Sequence, residues 1–127
     1  MSLIHILAVG IGGFLGAIGR YSIGLILLQM KSLERHHGTL LANLLGCFIA
    51  GYCLYYFSSK LKEDHLLIYF IGIGFLGSLT TFSTFSVELL EFYDARQWQL
   101  LTYHLLLNLV LGLTLVFLGH RLAKVII

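Results

Sequence analysis

Four apolar segments of membrane-spanning length follow one another along this chain, and this pattern limits the possible folds more than any other feature. They cover about residues 3–28, 38–57, 65–90 and 98–122. A helix that crosses a bilayer needs about 20 mostly apolar residues, and each segment supplies them. The sequence therefore predicts an all-α integral membrane protein, in which residues 1–127 form a single four-helix transmembrane domain.

The composition indicates lipid rather than water as the main solvent. Hydrophobic residues make up 58% of the 127 residues and charged residues only 11%, whereas soluble domains contain about 45–50% apolar and about 25% charged residues. The net charge is only +2, and the sequence contains no cluster of basic residues that could bind a nucleic acid. We therefore expect a multi-pass protein of the cell membrane that is surrounded by the lipid bilayer and does not bind nucleic acid.

Basic residues are almost evenly divided between the two ends of the predicted bundle. Lysine and arginine in short loops normally set the orientation of a membrane protein. Four fall on one side and three on the other: Lys60, Lys62, Arg121 and Lys124 against Lys31, Arg35 and Arg96. Two interpretations remain open. Either the small bias, or Arg20, fixes one orientation, or the chain inserts both ways and opposed copies pair as an antiparallel, dual-topology homodimer about a two-fold axis.

A polar stretch at residues 77–86 interrupts the third apolar segment. Six of its ten residues carry a hydroxyl, and it opens with Gly77. Polar or irregular backbone at membrane depth is tolerated mainly where it is buried in protein or lines a water-filled cavity. Glycine and β-branched threonine also have low helix propensity. These residues predict a break in the third helix; the alternative is an intact helix whose hydroxyls bond back to its own carbonyls.

A break at this depth would bring two helix ends close together. The first half-helix would end in unpaired carbonyls, which suit a hard cation such as Na⁺, and the second would begin with free N–H groups, which suit an anion. Phe82 and Phe85 follow one turn apart, and the electropositive edges of their rings would favour a small anion. Thr81 and Thr84, which share an adjoining face with Phe85 and Glu88, would provide hydroxyl donors.

Polar side chains also occur in the other segments. Asn43 and Asn108 carry amides that require hydrogen-bonding partners in a membrane, and such residues often mark a pathway. The alternative is close helix packing, in which small and polar residues serve only contacts between helices. Arg20 lies inside the first segment. Either its side chain reaches the membrane interface, or it forms a cationic vestibule that attracts anions.

Other motifs point away from catalysis and cofactor chemistry. The G-x-G-x-x-G pattern at Gly72, Gly74 and Gly77 lies in a lipid-length segment without a strand–turn–helix unit, so it does not indicate dinucleotide binding. The six histidines have no metal-ligand spacing. Cys47 and Cys53 are expected to be packing residues. No nucleophile and base occur at a recognisable spacing, so we do not expect an enzyme.

Three stretches of this sequence together resemble one family. They are GFLGSLTTFSTFS at residues 74–86, GTLLANLLGCF at residues 38–48 and GGFLGAIGRY at residues 12–21. They closely resemble the Fluc (CrcB-type) fluoride channels, and the resemblance covers all four segments in order. It implies a passive channel that exports F⁻ accumulated after HF enters the cytoplasm and dissociates. It also implies an antiparallel, dual-topology homodimer with two pores.

The resemblance further implies roles for individual residues. The backbone carbonyls of Gly77 and Thr80 would hold a structural Na⁺ at the dimer centre, which is not transported. Phe82 and Phe85 would line each pore. The remaining residues implied for the fluoride pathway are Asn43 beside the rings, the hydroxyl-bearing Thr81, Ser83 and Thr84, and Arg20 at the vestibule.

One face of the fourth segment departs from the family pattern. The family tends to place hydroxyls along the ion path there, whereas this chain has Asn108 and Gly112. We expect the Asn108 amide to take part in the fluoride pathway as a donor in their place.

Two other functions compete with a fluoride channel. A small dual-topology multidrug or organic-cation exporter would require a membrane-embedded carboxylate in the first span, and residues 3–28 contain none. A helical scaffold without transport activity would not require a hydroxyl-rich break. The fluoride channel is therefore the leading hypothesis, and the exporter is the runner-up.

Overall fold

The computed structural model describes residues 2–30 and 34–127, and its regular structure in these ranges is entirely helical. Helix α1 spans Leu3–Gln29 and helix α2 spans Arg35–Lys60. Lys31, one of the basic residues in the charge comparison, lies outside the described residues.

The third segment consists of three helical pieces. A π-helical stretch, Ile68–Leu76, leads into the short helix α3 at Gly77–Leu79. Thr80 and Thr81 follow with extended backbone, and helix α4 then spans Phe82–Asp94.

The fourth segment also changes its helical form along its length. Helix α5 spans Trp98–Leu106, a π-helical stretch covers Leu107–Leu111, and helix α6 spans Gly112–Ile126. π-Helical turns are rare and occur frequently at functional sites. The stretch in this segment contains Asn108, whose amide was singled out in the sequence.

In the part of the chain that the structure describes, four helical stretches are long and apolar enough to cross a membrane: Leu3–Gln29, Arg35–Lys60, Ile68–Asp94 and Trp98–Ile126. The prediction of an all-helical protein with four helices of membrane length is confirmed. Large apolar side chains project from these helices, and the side chain of Phe117, for example, is 70% exposed. Such a surface suits contact with lipid, since a soluble protein seldom exposes large apolar patches.

Helices α2 and α6 pack closely because glycines lie at their contact. A Cβ atom at Gly51 would overlap the backbone oxygen of Val116, and one at Gly119 would overlap the backbone oxygen of Phe48. Small residues allow membrane helices to approach in this way. The close contact fixes the distance between α2 and the fourth segment, and so between Asn43 and Asn108.

The third segment is held against α1 and α2. Gly12 and Gly16 of α1 are buried against the backbone of the π-helical stretch, at Phe70 and Phe75. A small apolar core on the other side consists of Ala42 of α2 with Leu76 and Leu79. These contacts place residues 80 and 81 directly beside the middle of α2.

Candidate functional site

Thr80 and Thr81 lie between α3 and α4 and are not helical. Thr80 has φ −85° and ψ 152°, and Thr81 has φ −150° and ψ 117°, so both are extended between two helical pieces. The N–H of Thr80 donates to the carbonyl of Leu76 at 3.1 Å. Its hydroxyl donates to the same carbonyl at 2.9 Å. The Leu76 carbonyl therefore accepts two hydrogen bonds from Thr80, the residue that follows α3.

Asn43 of α2 supplies the hydrogen-bond partners that Thr81 lacks within its own helix. The N–H of Thr81 donates to Asn43 Oδ1 at 2.8 Å, and Asn43 Nδ2 donates back to the Thr81 carbonyl at 3.3 Å. In a continuous α-helix this N–H would donate to the residue four positions earlier, which is Gly77. The Gly77 carbonyl is thereby left without its usual helix donor.

A side-chain cap at the start of α4 affects the carbonyl of Thr80 as Asn43 affects that of Gly77. Thr81 is the N-cap residue, and its hydroxyl oxygen accepts the N–H of Thr84 at 3.2 Å. A side-chain cap of this kind replaces a backbone partner at a helix start. In a continuous helix the N–H of Thr84 would donate to the Thr80 carbonyl. The Thr80 carbonyl therefore also lacks its usual donor.

The hydroxyls predicted for the fluoride pathway form a local cluster around Thr81. The Thr81 hydroxyl donates to Thr84 Oγ1 at 3.1 Å, and Ser83 Oγ lies 3.2 Å from Thr81 Oγ1. Thr81 is buried, whereas Ser83 and Thr84 are exposed at the surface of the chain. The three hydroxyls thus reach from the interior to the surface beside the first turn of α4.

The two predicted phenylalanines differ sharply in exposure. Phe82 is 76% exposed and Phe85 only 4%. Their ring centroids lie 5.8 Å apart at an interplanar angle of 58°. Both rings line an open groove of about 430 Å³, here called the central groove, whose polar lining consists of Asn43, Thr80, Thr81 and Asn108.

Asn108 joins the fourth segment to this site. Its Oδ1 accepts from Asn43 Nδ2 at 2.9 Å, and its Nδ2 donates to the carbonyl of His104 at 3.0 Å. Asn43 and Asn108, which are 65 positions apart in sequence, therefore share one hydrogen-bond network with Thr81. Gly112 lies one turn further along, where a Cβ atom would stand 3.4 Å from Cys47 Sγ.

Arg20 lies at a different surface from the two asparagines. It lines a second groove of about 510 Å³, together with Ala17, Ser78 and Ser83. Gly77, Thr80, Thr81 and Phe82 line both grooves. The interruption therefore separates an amide-lined groove from one that contains an arginine.

Two buried polar contacts near one end of α2 were not predicted as pairs. The Thr39 hydroxyl donates to Glu88 Oε1 at 2.6 Å, and both side chains are buried. His36 and His104 pack with ring centroids 4.6 Å apart. His36 Nε2 and both ring nitrogens of His104 are buried without a hydrogen-bond partner in the described part of the chain.

The sequence contained only part of the signal for these contacts. Thr39 precedes Asn43 by four residues and His104 precedes Asn108 by four, so each pair shares a polar helix face, and Glu88 shares a face with Phe85. His36 had no such pattern, because it precedes the apolar segment. Within residues 2–30 and 34–127, no group of three or more His, Cys, Asp or Glu residues is arranged to hold a metal ion.

Taken together, four membrane-length helices and polar groups that converge beside the third one define a small multi-pass membrane protein. The model of the family described as CrcB-like protein, Camphor Resistance (CrcB), matches residues 7–120. The chain therefore belongs to the CrcB-like family, and the resemblance inferred from its motifs is confirmed.

Relatives from several bacteria carry a functional name. A fluoride-specific ion channel FluC from Shewanella baltica (strain OS155) is 42% identical over 120 residues, covering 93% of this chain and 94% of the relative. A FluC from Legionella pneumophila (strain Paris) is 37% identical over 121 residues, covering 95% and 90%. One from Dehalococcoides mccartyi (strain BAV1) is 37% identical over 123 residues, covering 96% and 94%. These relatives are ion channels rather than enzymes, which agrees with the expectation of no enzymatic activity.

Proposed function

We propose that the protein is a passive, fluoride-selective channel that exports F⁻ from the cytoplasm and so reduces fluoride toxicity. The observation that carries this proposal is the meeting of Phe82, Phe85 and Asn108 in the central groove at the start of α4. Ring edges, amide and hydroxyl hydrogens, and the N-terminal end of a helix all favour a small anion. None of them carries a full positive charge that would hold the ion too tightly to leave.

The pathway in this proposal begins at Arg20 and continues along the start of α4. Arg20 draws anions into the second groove, which also contains Ser83. Thr81 and Thr84 offer hydroxyls beside the rings of Phe82 and Phe85. Asn43 and Asn108 complete the polar lining on the side of the central groove. A dehydrated F⁻ would exchange water for these donors one after another.

The functional unit in this proposal is an antiparallel homodimer. Phe82 is 76% exposed in the single chain, and both grooves open at its surface. Lipid tails cannot hydrogen-bond with the threonine and asparagine groups along these grooves. A second copy in the opposite orientation would cover them, and the nearly equal charge at the two ends of the bundle permits both orientations.

A structural Na⁺ at the centre of the dimer fits the residues present. The carbonyls of Gly77 and Thr80 lack their usual helix donors, because the N–H groups of Thr81 and Thr84 donate to side-chain oxygens instead. Carbonyl oxygens are suitable ligands for a hard cation. When bound, the ion would supply a fixed positive charge beside the start of α4.

The runner-up function is not favoured. Helix α1, Leu3–Gln29, contains no aspartate or glutamate that could carry an organic cation.

Fluoride efflux from proteoliposomes tests the proposal. Vesicles loaded with KF and treated with a potassium ionophore should release F⁻ rapidly, as read by a fluoride electrode, and protein-free vesicles should not. Release no faster than that of protein-free vesicles, from a preparation that elutes as a folded species, would refute the channel.

A further inference from the structure

Three aromatic rings from three helices meet at the end of the bundle where α2 begins. His36 of α2 and His104 of α5 pack edge to face, with ring centroids 4.6 Å apart at an interplanar angle of 89°. The ring of Phe92 on α4 lies 5.1 Å from that of His36 and 5.2 Å from that of His104. All three residues are buried, and His104 is only 1% exposed. These three residues, here called the histidine cluster, therefore join α2, α4 and α5.

The ring nitrogens of the histidine cluster are largely without hydrogen-bond partners. His36 Nε2 and both nitrogens of His104 are buried and have no partner among residues 2–30 and 34–127. A neutral imidazole carries one donor and one acceptor, and buried groups of this kind are normally paired. The edge-to-face arrangement is one that neutral aromatic rings prefer. The cluster is therefore packed like an apolar contact, although two of its rings can each take up a proton.

The neighbouring groups on α2 and α5 provide no buried counter-charge for a protonated ring. Glu34 Oε2 lies 3.6 Å from His36 Nδ1, beyond hydrogen-bond distance, and the Glu34 side chain is 76% exposed. His37 adds a third imidazole, whose centroid is 4.3 Å from that of His36 and 6.0 Å from that of His104. Tyr103 packs on His104 at 5.6 Å and contributes a phenol rather than a carboxylate. A proton on one imidazole would therefore repel a proton on the next.

The carboxylates of α4 near the histidine cluster already have partners. Glu91 pairs with Arg35 at 3.2 Å, and Glu88 accepts the hydroxyl of Thr39 at 2.6 Å. Arg35, Glu88 and Glu91 line, together with His36, a groove of about 300 Å³ at this end of the chain. Protons can therefore reach the cluster through the groove, but no unpaired carboxylate of α4 meets them there.

We propose that the histidine cluster is a pH-sensitive contact: its neutral rings hold α2 against α4 and α5, and a proton taken up through the groove releases them. A buried charge without a partner is costly, and two charged rings 4.6 Å apart would repel each other. Acid therefore favours an opened or unfolded chain, in which water solvates the charged histidines. Thr39 and Glu88 lie one helical turn from His36 and Phe92, so release would also loosen their bond. The contact operates independently of fluoride conduction.

Thermal unfolding in detergent tests this contact at about pH 7.5 and about pH 5.5, on either side of the ordinary histidine value. Acidification should lower the melting temperature of the unaltered protein. In His104→Phe, which keeps a ring and removes both unpaired nitrogens, that fall should be smaller by about 4 °C or more. His120→Phe is the matched control, because the half-buried His120 ring also packs edge to face, on Tyr55, and this variant should keep the full fall. An equal fall in the unaltered protein and in both variants would overturn the proposal.

Hydrogen exchange of the unaltered protein provides a second test, which needs no substitution. Corrected for the intrinsic exchange rate, backbone amides in peptides covering residues 38–44 and 101–108 should lose about tenfold in protection at the lower pH. Peptides from the opposite end of α2 and α6, residues 52–60 and 116–124, should not change. Equal protection of the first two peptides at both pH values would contradict release of the contact. Neither measurement uses fluoride, so failure of this proposal and failure of the channel function are separate outcomes.

Discussion

Thr39 and Glu88 form a 2.6 Å hydrogen bond between α2 and α4, from the threonine hydroxyl to Oε1 of the carboxyl group. Both residues are buried, with Glu88 only 3% exposed. The bond ties the helix that carries Asn43 to the helix that begins at Phe82. A buried polar group that loses its partner keeps the cost of its desolvation.

Replacing Thr39 by valine should therefore destabilise the protein. Valine keeps the shape of threonine and removes the donor, and we expect the free energy of unfolding to fall by about 1–3 kcal/mol. Thermal unfolding in detergent measures the change. Thr39→Ser, which retains a hydroxyl, is the matched control and should lie close to the unaltered protein. A Thr39→Val variant no less stable than Thr39→Ser would show that the hydrogen bond does not carry the predicted stabilisation.

A second prediction concerns the glycine that faces the interruption. A Cβ atom at Gly46 would overlap the Thr80 methyl group. Gly46→Ala should therefore displace Thr80 and reduce stability by about 1–3 kcal/mol, as is usual for overpacking, and fluoride flux should fall with it. Gly10→Ala is the control, because a Cβ atom there has nothing within 4 Å. Unchanged flux and melting temperature in Gly46→Ala would mean that Thr80 moves at no cost.

The exposed ring of Phe82 gives a third prediction. Phe82→Ile removes the electropositive ring edge and keeps an apolar side chain, so fluoride flux should fall by about tenfold or more, which corresponds to about 1.4 kcal/mol. Assembly, measured by size-exclusion chromatography, should not change. Phe117→Ile on α6 is the control, because the Phe117 ring is 70% exposed and the Phe82 ring 76%. Equal losses of fluoride flux in the two variants would show that the Phe82 ring has no specific role.

The two carbonyls without helix donors give a fourth prediction. Replacing Na⁺ by a large organic cation throughout purification and reconstitution should reduce fluoride flux, because the carbonyls of Gly77 and Thr80 would then have no ion to coordinate. Return of Na⁺ should restore the flux. Equal flux in both preparations would argue against a structural sodium site at these carbonyls.

Local patterns in the sequence were sufficient to predict the membrane-length helices. Length and composition determine them, because lipid requires a spanning segment to satisfy its own backbone. The polar character of residues 77–86 also marked the site, since hydroxyls are costly in an apolar segment. The family followed from motifs that occur in several spans.

The pairing of the site residues was not accessible in the same way. Asn43 meets Thr81 across 38 positions and Thr39 meets Glu88 across 49. Such contacts depend on how closely α2 approaches its neighbours. That distance is determined by glycines at the helix contacts, which the linear sequence does not pair. The π-helical stretches also escaped prediction, because a wider turn produces no distinct hydropathy period over a few residues. Asn43 was therefore predicted as a pathway residue without its hydrogen bonds to Thr81 and Asn108.

A labelling experiment tests whether copies of the chain insert into the membrane in both orientations. Cysteines introduced at each terminus of a variant without Cys47 and Cys53 should react with an impermeant reagent from both sides of the membrane if copies insert in opposite directions. Labelling from one side alone would exclude the antiparallel dimer.

The measurement that tests the central claim most directly compares fluoride and chloride release from the same reconstituted vesicles. The account predicts rapid F⁻ efflux and Cl⁻ efflux close to that of protein-free vesicles, because hydrogen-bond donors and ring edges along the central groove favour the smaller ion, which hydrogen-bonds more strongly. Chloride release as fast as fluoride release, or no release of either ion from folded protein, would contradict it.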